Sequence, residues 1–516
     1  MKRYLFYTIS SLLLLGCSLD EEPKDQIPEE EAYTTAQQLY QNTVATLYNY
    51  IGGNADGQGL QGTCRGVYDL QTFGSDEAML PTRGTDWYDG GLWQAMYKHS
   101  WDAGHELLGN SWKYLYKVIT LCNNSLEKLE EHAELAGEDL IHWQAEVRAL
   151  RAIYYWYLID LFGDVPLVVS TNVSMNDVQS SERAAVFDFI VGELEATINM
   201  LPGSNSIQHG PYYGRITQPV SLFVLAKLML NAPVYTGRND SNYYKRCIYY
   251  CNEIENFGFQ LEKHYDNNFE ATNERSCENI FVIPMDKNLY TNQQQNIYRS
   301  LHYRHAAALG FTGENGTCAT RRALEIFGYF SENVYLRFNY SYFSIRLHDR
   351  NGQPITDRTG KELVYVPEAV ELDLSNSPYL ETAGARMRKY SVDVNNIKDG
   401  KLMDNDIVLF RFADVLLMRA EAKVRLGQSG QEEFDLVRAR VFMDPMLCTL
   451  DNLLDERLRE LCWEGWRRQD MIRFGRYRSL YTGPDAIDES DGHTTVYPIP
   501  SAVVTLNKKI HQNKGY

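Results

Sequence analysis

Ala145-Glu146-Val147-Arg148-Ala149-Leu150-Arg151-Ala152-Ile153-Tyr154-Tyr155-Trp156-Tyr157-Leu158-Ile159-Asp160-Leu161-Phe162-Gly163-Asp164-Val165-Pro166-Leu167 reads as one long helix with a definite stop. Val147, Leu150, Tyr154, Tyr157, Leu158 and Leu161 recur three and four residues apart, which sets them on one side. Gly163 offers a left-handed C-cap, and Pro166 cannot continue the backbone ladder. The same period runs upstream through Trp112, Leu115, Val118, Ile119, Cys122, Leu126 and Leu129. Further helices are predicted over 182–201, 219–235, 241–257, 406–426 and 453–474, with Pro233 kinking or ending the second of these early. Residues 29–51 also carry helix formers, with Thr34 or Thr35 as N-cap.

Helices joined by short turns bury one face by stacking pair on pair, as in tetratricopeptide-like hairpins. No clean 34-residue signature repeats, so the expectation is an all-α scaffold of such pairs and not a regular array. Three long stretches, 52–110, 259–342 and 344–404, interrupt it; they are rich in Gly, Asn, Asp and aromatics. They hold a few short strand-like runs, such as 279–284 and 362–367. Irregular loops of this length usually carry function or a partner surface.

The 516 residues include 50 Lys+Arg against 68 Asp+Glu, a net charge of −18. That balance argues against a nucleic-acid partner, which needs clustered positive charge. The aromatic content is unusual, with 36 Tyr, 20 Phe and 8 Trp, and Tyr and Trp serve both cores and rigid half-polar binding surfaces. At the N-terminus, Met1-Lys2-Arg3 precedes an apolar run, Tyr4 to Leu15, too short to span a bilayer. It closes on Leu14-Leu15-Gly16-Cys17, similar to a bacterial lipobox. Residues 1–16 are then a lipoprotein signal peptide, Cys17 is the lipidated residue, and 17–28 form an acidic tether. No later segment reads as long and apolar enough to span a membrane, so the lipid is the expected anchor. Cys122, Cys247, Cys251 and Cys462 lie in helical patterns and read as small buried side chains. Cys247-x3-Cys251 has no second His/Cys pair at zinc spacing, so no metal site is expected.

Catalytic signatures do not appear: there is no G-x-S-x-G, H-E-x-x-H or Walker loop. Gly57-x-Gly59-x-x-Gly62 matches dinucleotide-loop spacing but follows no strand and opens no helix, so it is a chance match. Glu456, Glu460 and Glu464 stack along one helix rather than facing each other across a sugar, which a glycosidase acid/base pair must do. Interleaved with Arg457, Arg459, Arg467 and Arg468, they read as ion pairs at helical spacing.

The 145–167 segment resembles the hallmark helix and turn of the SusD/RagB family of Bacteroidetes outer-membrane lipoproteins. Phe410-Arg411-Phe412-Ala413-Asp414-Val415-Leu416-Leu417-Met418-Arg419-Ala420-Glu421-Ala422 is similar to a second family hallmark. Asp455-Glu456-Arg457 through Glu464-Gly465 to Arg473 resembles a third. Tyr497-Pro498-Ile499-Pro500 with Gln512-Asn513-x-Gly515-Tyr516 resembles the family's end. The matches run in order from lipobox to last residue. The resemblance implies a SusD-like all-helical fold over 29–516, with an N-terminal part over about 29–235 and a C-terminal part over about 265–516. It implies a glycan-binding, non-enzymatic lipoprotein anchored at the cell surface in the outer membrane, delivering oligosaccharide to a SusC-like TonB-dependent transporter. The alternatives are a binder of peptide or another nutrient for the same kind of transporter, and a lipid-anchored glycan hydrolase. Asp164, Arg411, Asp414 and Glu421 are expected to order turns and helix packing. No cofactor is expected, and Phe330–Phe338 lacks the acidic pattern that would support a structural calcium.

A sugar ring asks for a flat aromatic face beside amide, carboxylate or Arg groups. The densest such segment is Asp86-Trp87-Tyr88-Asp89-Gly90-Gly91-Leu92-Trp93, extended to Trp101, in a loop that starts at Ser75-Asp76-Glu77 and includes Arg83. The candidate ligand residues are therefore Arg83, Trp87, Tyr88, Asp89, Trp93 and Trp101. Tyr290 and Asn292, with Tyr303, form a second candidate wall, since family members tend to place ligand-facing aromatics in loops of this region. An acidic surface makes sulfated or uronic polymers less favoured ligands.

Overall fold

The computed structural model describes residues 29–53, 57–203, 210–289, 295–332, 334–344 and 346–516. Its centre is the Leu140–Phe162 helix, and every residue from Ala149 to Phe162 is buried. The sequence period suggested one apolar side; the helix is instead enclosed all round, and its polar residues find partners inside. Arg151 pairs with Glu193 at 2.8 Å, and Asp160 accepts from Tyr235 at 2.8 Å and Gln71 at 2.8 Å. The helix ends where the sequence predicts: Gly163 sits at φ 71°, a conformation that a side chain disfavours.

Helices Glu106–Glu131, Leu140–Phe162, Arg183–Thr197, Gln218–Thr236 and Asn242–Glu255 each pack on the next, and Asn242–Glu255 then packs on Phe412–Arg425. This is the tetratricopeptide-like stacking expected from the sequence, within a helix-rich fold. Among the described residues, four two-stranded antiparallel pairs complete it, the longest joining Asn279–Ile283 to Ile407–Arg411. Thr35 caps Ala36–Tyr40 by accepting from the Gln38 N–H at 3.2 Å.

Several boundaries differ from expectation. Residues 407–411 form a strand before the Phe412–Arg425 helix starts, because they pair with 279–283. The 453–474 stretch is two helices, Leu450–Leu461 and Arg467–Arg473, parted by a turn with Trp463 at φ 66° and Gly465 at φ 75°. The helix containing Pro233 runs on to Thr236 and stops at a left-handed Gly237. That helix is also long and apolar enough to cross a membrane by length and composition, which the sequence reading missed. Most of its residues are buried within the protein, as in the core helix of a stack. A Gln431–Ala439 helix was not anticipated.

The three loop stretches are largely folded onto the scaffold. They contain the short helices Val67–Thr72, Leu92–Lys98, Gln295–Ser300, Tyr303–Ala308, Arg321–Ile326 and Leu336–Ser341. The segment around 362–367 forms only isolated bridges. Gly59 opens no helix; a Cβ there would meet the Gly52 carbonyl carbon at 2.7 Å, so tight loop packing accounts for the glycine. Cys122, Cys247, Cys251 and Cys462 are buried free thiols. Cys17 lies outside the described residues.

A buried charge junction joins the C-terminal helices to the loops. Arg411 sits in the ladder end opposite Asn279 and meets three carboxylates: Glu278 at 2.7 Å, Glu460 at 2.6 Å and Glu464 at 2.8 Å. Glu456 pairs with Arg438 at 2.8 Å, Arg459 at 3.0 Å and Arg337. The local ion-pair ladder expected along this helix is thus mostly replaced by pairs to distant elements. Arg457 goes to Asp414 and Asp470, both at 2.8 Å, while Arg467 reaches Asp76 at 2.6 Å and Arg468 reaches Asp160 at 3.2 Å. Burial raises the Glu456 carboxyl, and the Arg337, Arg459 and Arg438 charges overcome it and hold it below its ordinary range. Asp164 accepts from the Arg183 N–H at 2.7 Å and Glu421 binds Arg473 at 2.7 Å, scaffold roles in both cases.

Candidate functional site

The aromatic loop is built on a turn at Gly84, closed by Arg83 and Asp86 exchanging backbone hydrogen bonds at 2.9 and 3.1 Å. Beyond it the chain enters an uncommon run of left-handed backbone: Trp87 at φ 62°, Asp89 at 43°, Gly90 at 67° and Gly91 at 89°. For a bulky residue such as Trp this costs on the order of 1–3 kcal/mol, so neighbouring contacts must hold it. They are present. The Trp87 indole N–H donates to the Glu314 carbonyl at 3.0 Å, and its ring meets the Trp93 ring edge-on at 6.3 Å. Asp89 Oδ2 accepts from the Trp93 indole at 2.8 Å and pairs with Arg65 at 2.8 Å. Gly316 lies beneath the Trp87 ring, where a Cβ would come within 2.7 Å of Cε2.

These contacts sort the candidates. Tyr88 is 53% exposed and Trp87 is half-buried at the surface. Trp93, at 2% exposure, is a core residue between Phe73 and Arg299. Trp101, at 4%, donates to the Tyr516 hydroxyl at 2.9 Å and packs on Tyr497, fastening the C-terminus. Neither ring has a face open to a ligand. Arg83 is buried as well, donating to the Leu380 and Ala383 carbonyls at 2.8 Å each. Burial, aided by the nearby Arg386 charge, pushes its guanidinium down to about 9. It pins the 380–383 loop rather than reaching outward. These three expectations fail for one reason: a loop that must hold a strained backbone uses some of its aromatic and polar groups as fasteners.

The second wall is represented by Tyr303; Tyr290 and Asn292 lie outside the described residues. Tyr303 opens the short Tyr303–Ala308 helix, whose first turn is capped by His302 accepting from the Arg304 N–H at 3.2 Å. Its hydroxyl donates to Asp86 at 2.7 Å and joins the two walls. Burial and this bond push the Tyr303 phenol up to about 12, so it stays a donor at physiological pH. Behind it, His302 contacts Glu381 at 3.1 Å, and Glu381 lies 3.9 Å from Arg358. Burial, with the charges of His302 and Arg386, pushes His305 down to about 3, so it remains neutral. The surface thus presents Trp87 and Tyr88 rings, the Asp86 and Glu381 carboxylates, the Tyr303 edge and the Arg358 guanidinium. Glu381 and Arg358 escaped the sequence reading because nothing local marks them; they arrive through a loop nearly 300 residues further along the chain. Among the described residues no cluster of three or more His, Cys, Asp or Glu could hold a metal ion.

Comparison with known proteins places this geometry in context. Residues 232–516 match the model of the SusD family, and residues 20–230 match one described as starch-binding associating with outer membrane. The starch-binding protein SusD of Bacteroides thetaiotaomicron is 26% identical over 434 residues, covering 75% of each chain. A laminarin-binding SusD-like protein superposes with a TM-score of 0.70 at 20% identity, over 94% of this chain and 100% of the other. Surface glycan-binding protein A from Bacteroides thetaiotaomicron, in complex with laminarihexaose, gives a TM-score of 0.70 at 18% identity over 93% and 100%. Both superpositions cover nearly the whole scaffold and its loops.

Proposed function

Because the chain belongs to the SusD family, we propose that it is a glycan-binding protein of the cell surface that captures oligosaccharide and changes no covalent bond. In this reading Cys17 carries the lipid that anchors it to the outer membrane, residues 1–16 are removed, and 17–28 form the tether. The captured chain passes to a SusC-like TonB-dependent transporter. The observation that carries the proposal is the pair of rings at Trp87 and Tyr88, held outward on a strained, pinned backbone beside Asp86 and the Tyr303 hydroxyl. Flat rings meet the C–H faces of a sugar, and the carboxylates and hydroxyl meet its rim. Preorganisation lowers the entropy that binding must offset. The names of the relatives, starch-binding and laminarin-binding, support the ligand class.

The test is calorimetric titration of the purified protein with laminarihexaose and with maltohexaose, comparing wild type and Tyr88→Ala. Tyr88 is the cleaner probe because it is the more exposed ring. The expected outcome is a loss of roughly tenfold or more in affinity, about 1.4 kcal/mol, with thermal unfolding within about 0.5 kcal/mol of wild type. Unchanged affinity moves the site elsewhere. Binding to neither glycan, or chromatographic evidence of cleavage, overturns the reading.

A further inference from the structure

A second aromatic concavity lies on another part of the scaffold. Tyr40, Trp143 and Tyr212 come from three elements far apart in sequence and converge with Arg215 around a cavity of about 380 Å³. That volume falls within the range of roughly 300–1,000 Å³ typical of small-ligand sites. Tyr212 is exposed, and Tyr40 and Trp143 are half-buried with rings 5.3 Å apart. The Arg215 guanidinium lies 5.1 Å from the Tyr40 ring and 5.1 Å from the Tyr212 ring.

Arg215 is fixed from below. It donates to buried Glu146 through Nε at 2.9 Å and Nη2 at 2.6 Å, and to the Pro211 carbonyl at 3.2 Å. Tyr48 donates to the same carboxylate. The bidentate pair cancels the net charge of the floor, while exposed Asp139 and the Asn199 amide lie on the rim. A floor with no net charge, with Asp139 and His142 both on the rim, offers no excess of positive charge for a phosphate, sulfate or uronate. Rings beside an amide, a carboxylate and a guanidinium with spare donors suit a neutral sugar.

We infer that the Tyr40, Trp143, Tyr212 and Arg215 concavity is a second binding site for neutral oligosaccharide. It is separate from the Trp87 and Tyr88 face, and the inference rests on the glycan-binding reading of that face. Two sites on one chain raise the apparent affinity for a polysaccharide long enough to reach both, with no new contact, by mass action at high effective concentration.

The experiment titrates purified protein with the hexasaccharide that binds wild type, then with the parent polysaccharide, starch or laminarin. Variants are Trp143→Ala, Tyr212→Ala and Tyr88→Ala. The expected result is two hexasaccharides per wild-type chain, one per Trp143→Ala or Tyr212→Ala chain and one per Tyr88→Ala chain. Polysaccharide affinity falls at least about tenfold in each. Tyr212→Ala guards against Trp143→Ala failing to fold, since Tyr212 is exposed. Hexasaccharide binding lost in Tyr88→Ala but unchanged in affinity and stoichiometry in Tyr212→Ala overturns the second site and leaves the first standing. No glycan binding to wild type overturns both. Equal affinity of wild type and Tyr212→Ala for the polysaccharide also overturns the second site.

Discussion

Arg411 and the carboxylates it meets are paired inside the protein, whereas around Trp87 rings and carboxylates are left at the surface. Both regions are held by long-range polar contacts, and both depend on residues from distant parts of the chain. At the junction the guanidinium is fully enclosed and meets Glu278, Glu460 and Glu464. At the loop the fasteners Arg83, Trp93 and Trp101 are enclosed, and the Trp87 indole N–H is tied to the Glu314 carbonyl. Burial is therefore the dividing line between scaffold and proposed site, and residue type is not. An Arg or a Trp occurs on either side of it.

The largest test of that division is Arg411→Met, which leaves three buried carboxylates without their common partner. Removing one member of a buried charge network costs about 3–5 kcal/mol, more than a well-packed methionine returns. The expected outcome is a loss of that size in a denaturant melt, or no soluble protein; a loss under 1 kcal/mol would show that the junction relaxes as an exposed surface does.

Glu77 sharpens the comparison, because it is a carboxyl in the junction with no cation bonded to it. Oε1 accepts from the Trp463 N–H, and Oε2 is buried with no partner among the described residues. Burial, against that N–H and the charges of Lys389 and Arg467, pushes it up to about 8. The folded protein then keeps a proton that the unfolded chain releases above its ordinary value of 4.5. Stability contributed by this group falls as pH rises from about 4.5 to about 8 and is constant below that window. Glu77→Gln keeps the acceptor for Trp463 and removes the titration. Its stability relative to wild type is expected to rise by on the order of 1–4 kcal/mol between pH 5 and pH 8. A flat difference across those two melts would place a cation on Glu77 after all.

The same division explains what could be read from the chain alone. The Leu140–Phe162 helix and its Gly163 stop were legible because period and cap are local signals. The 407–411 strand was not, since its partner at 279–283 is more than a hundred residues away and its apolar run fits either state. In the loop, the density of Trp and Tyr singles out the segment proposed as the face, yet composition does not distinguish Trp87 from Trp93. Five residues lie between them along the chain, and only the contacts with Phe73, Arg299 and Asp89 make one a core residue. Arg83 was chosen for its charge and is occupied by carbonyls from 380–383, which no sequence pattern announces.

Gly316→Ala breaks the comparison most locally, because it adds one methyl at the boundary between fastener and face. The new Cβ would lie 2.7 Å from Trp87 Cε2 and 2.9 Å from Leu80 Cδ2, inside van der Waals contact. Leu80 is buried and has little room to retreat, so the indole must tilt and its bond to the Glu314 carbonyl must lengthen. Overpacking of this kind costs about 1–3 kcal/mol. Because Tyr88 follows Trp87 on the same strained backbone, the displacement carries into the face. The expected result is a loss of roughly 1–3 kcal/mol in unfolding together with weaker glycan affinity. Gly316→Ala with weakened stability and unchanged affinity would show that the Trp87 ring is a fastener like Trp93, leaving Tyr88 and Tyr303 to form the face without it.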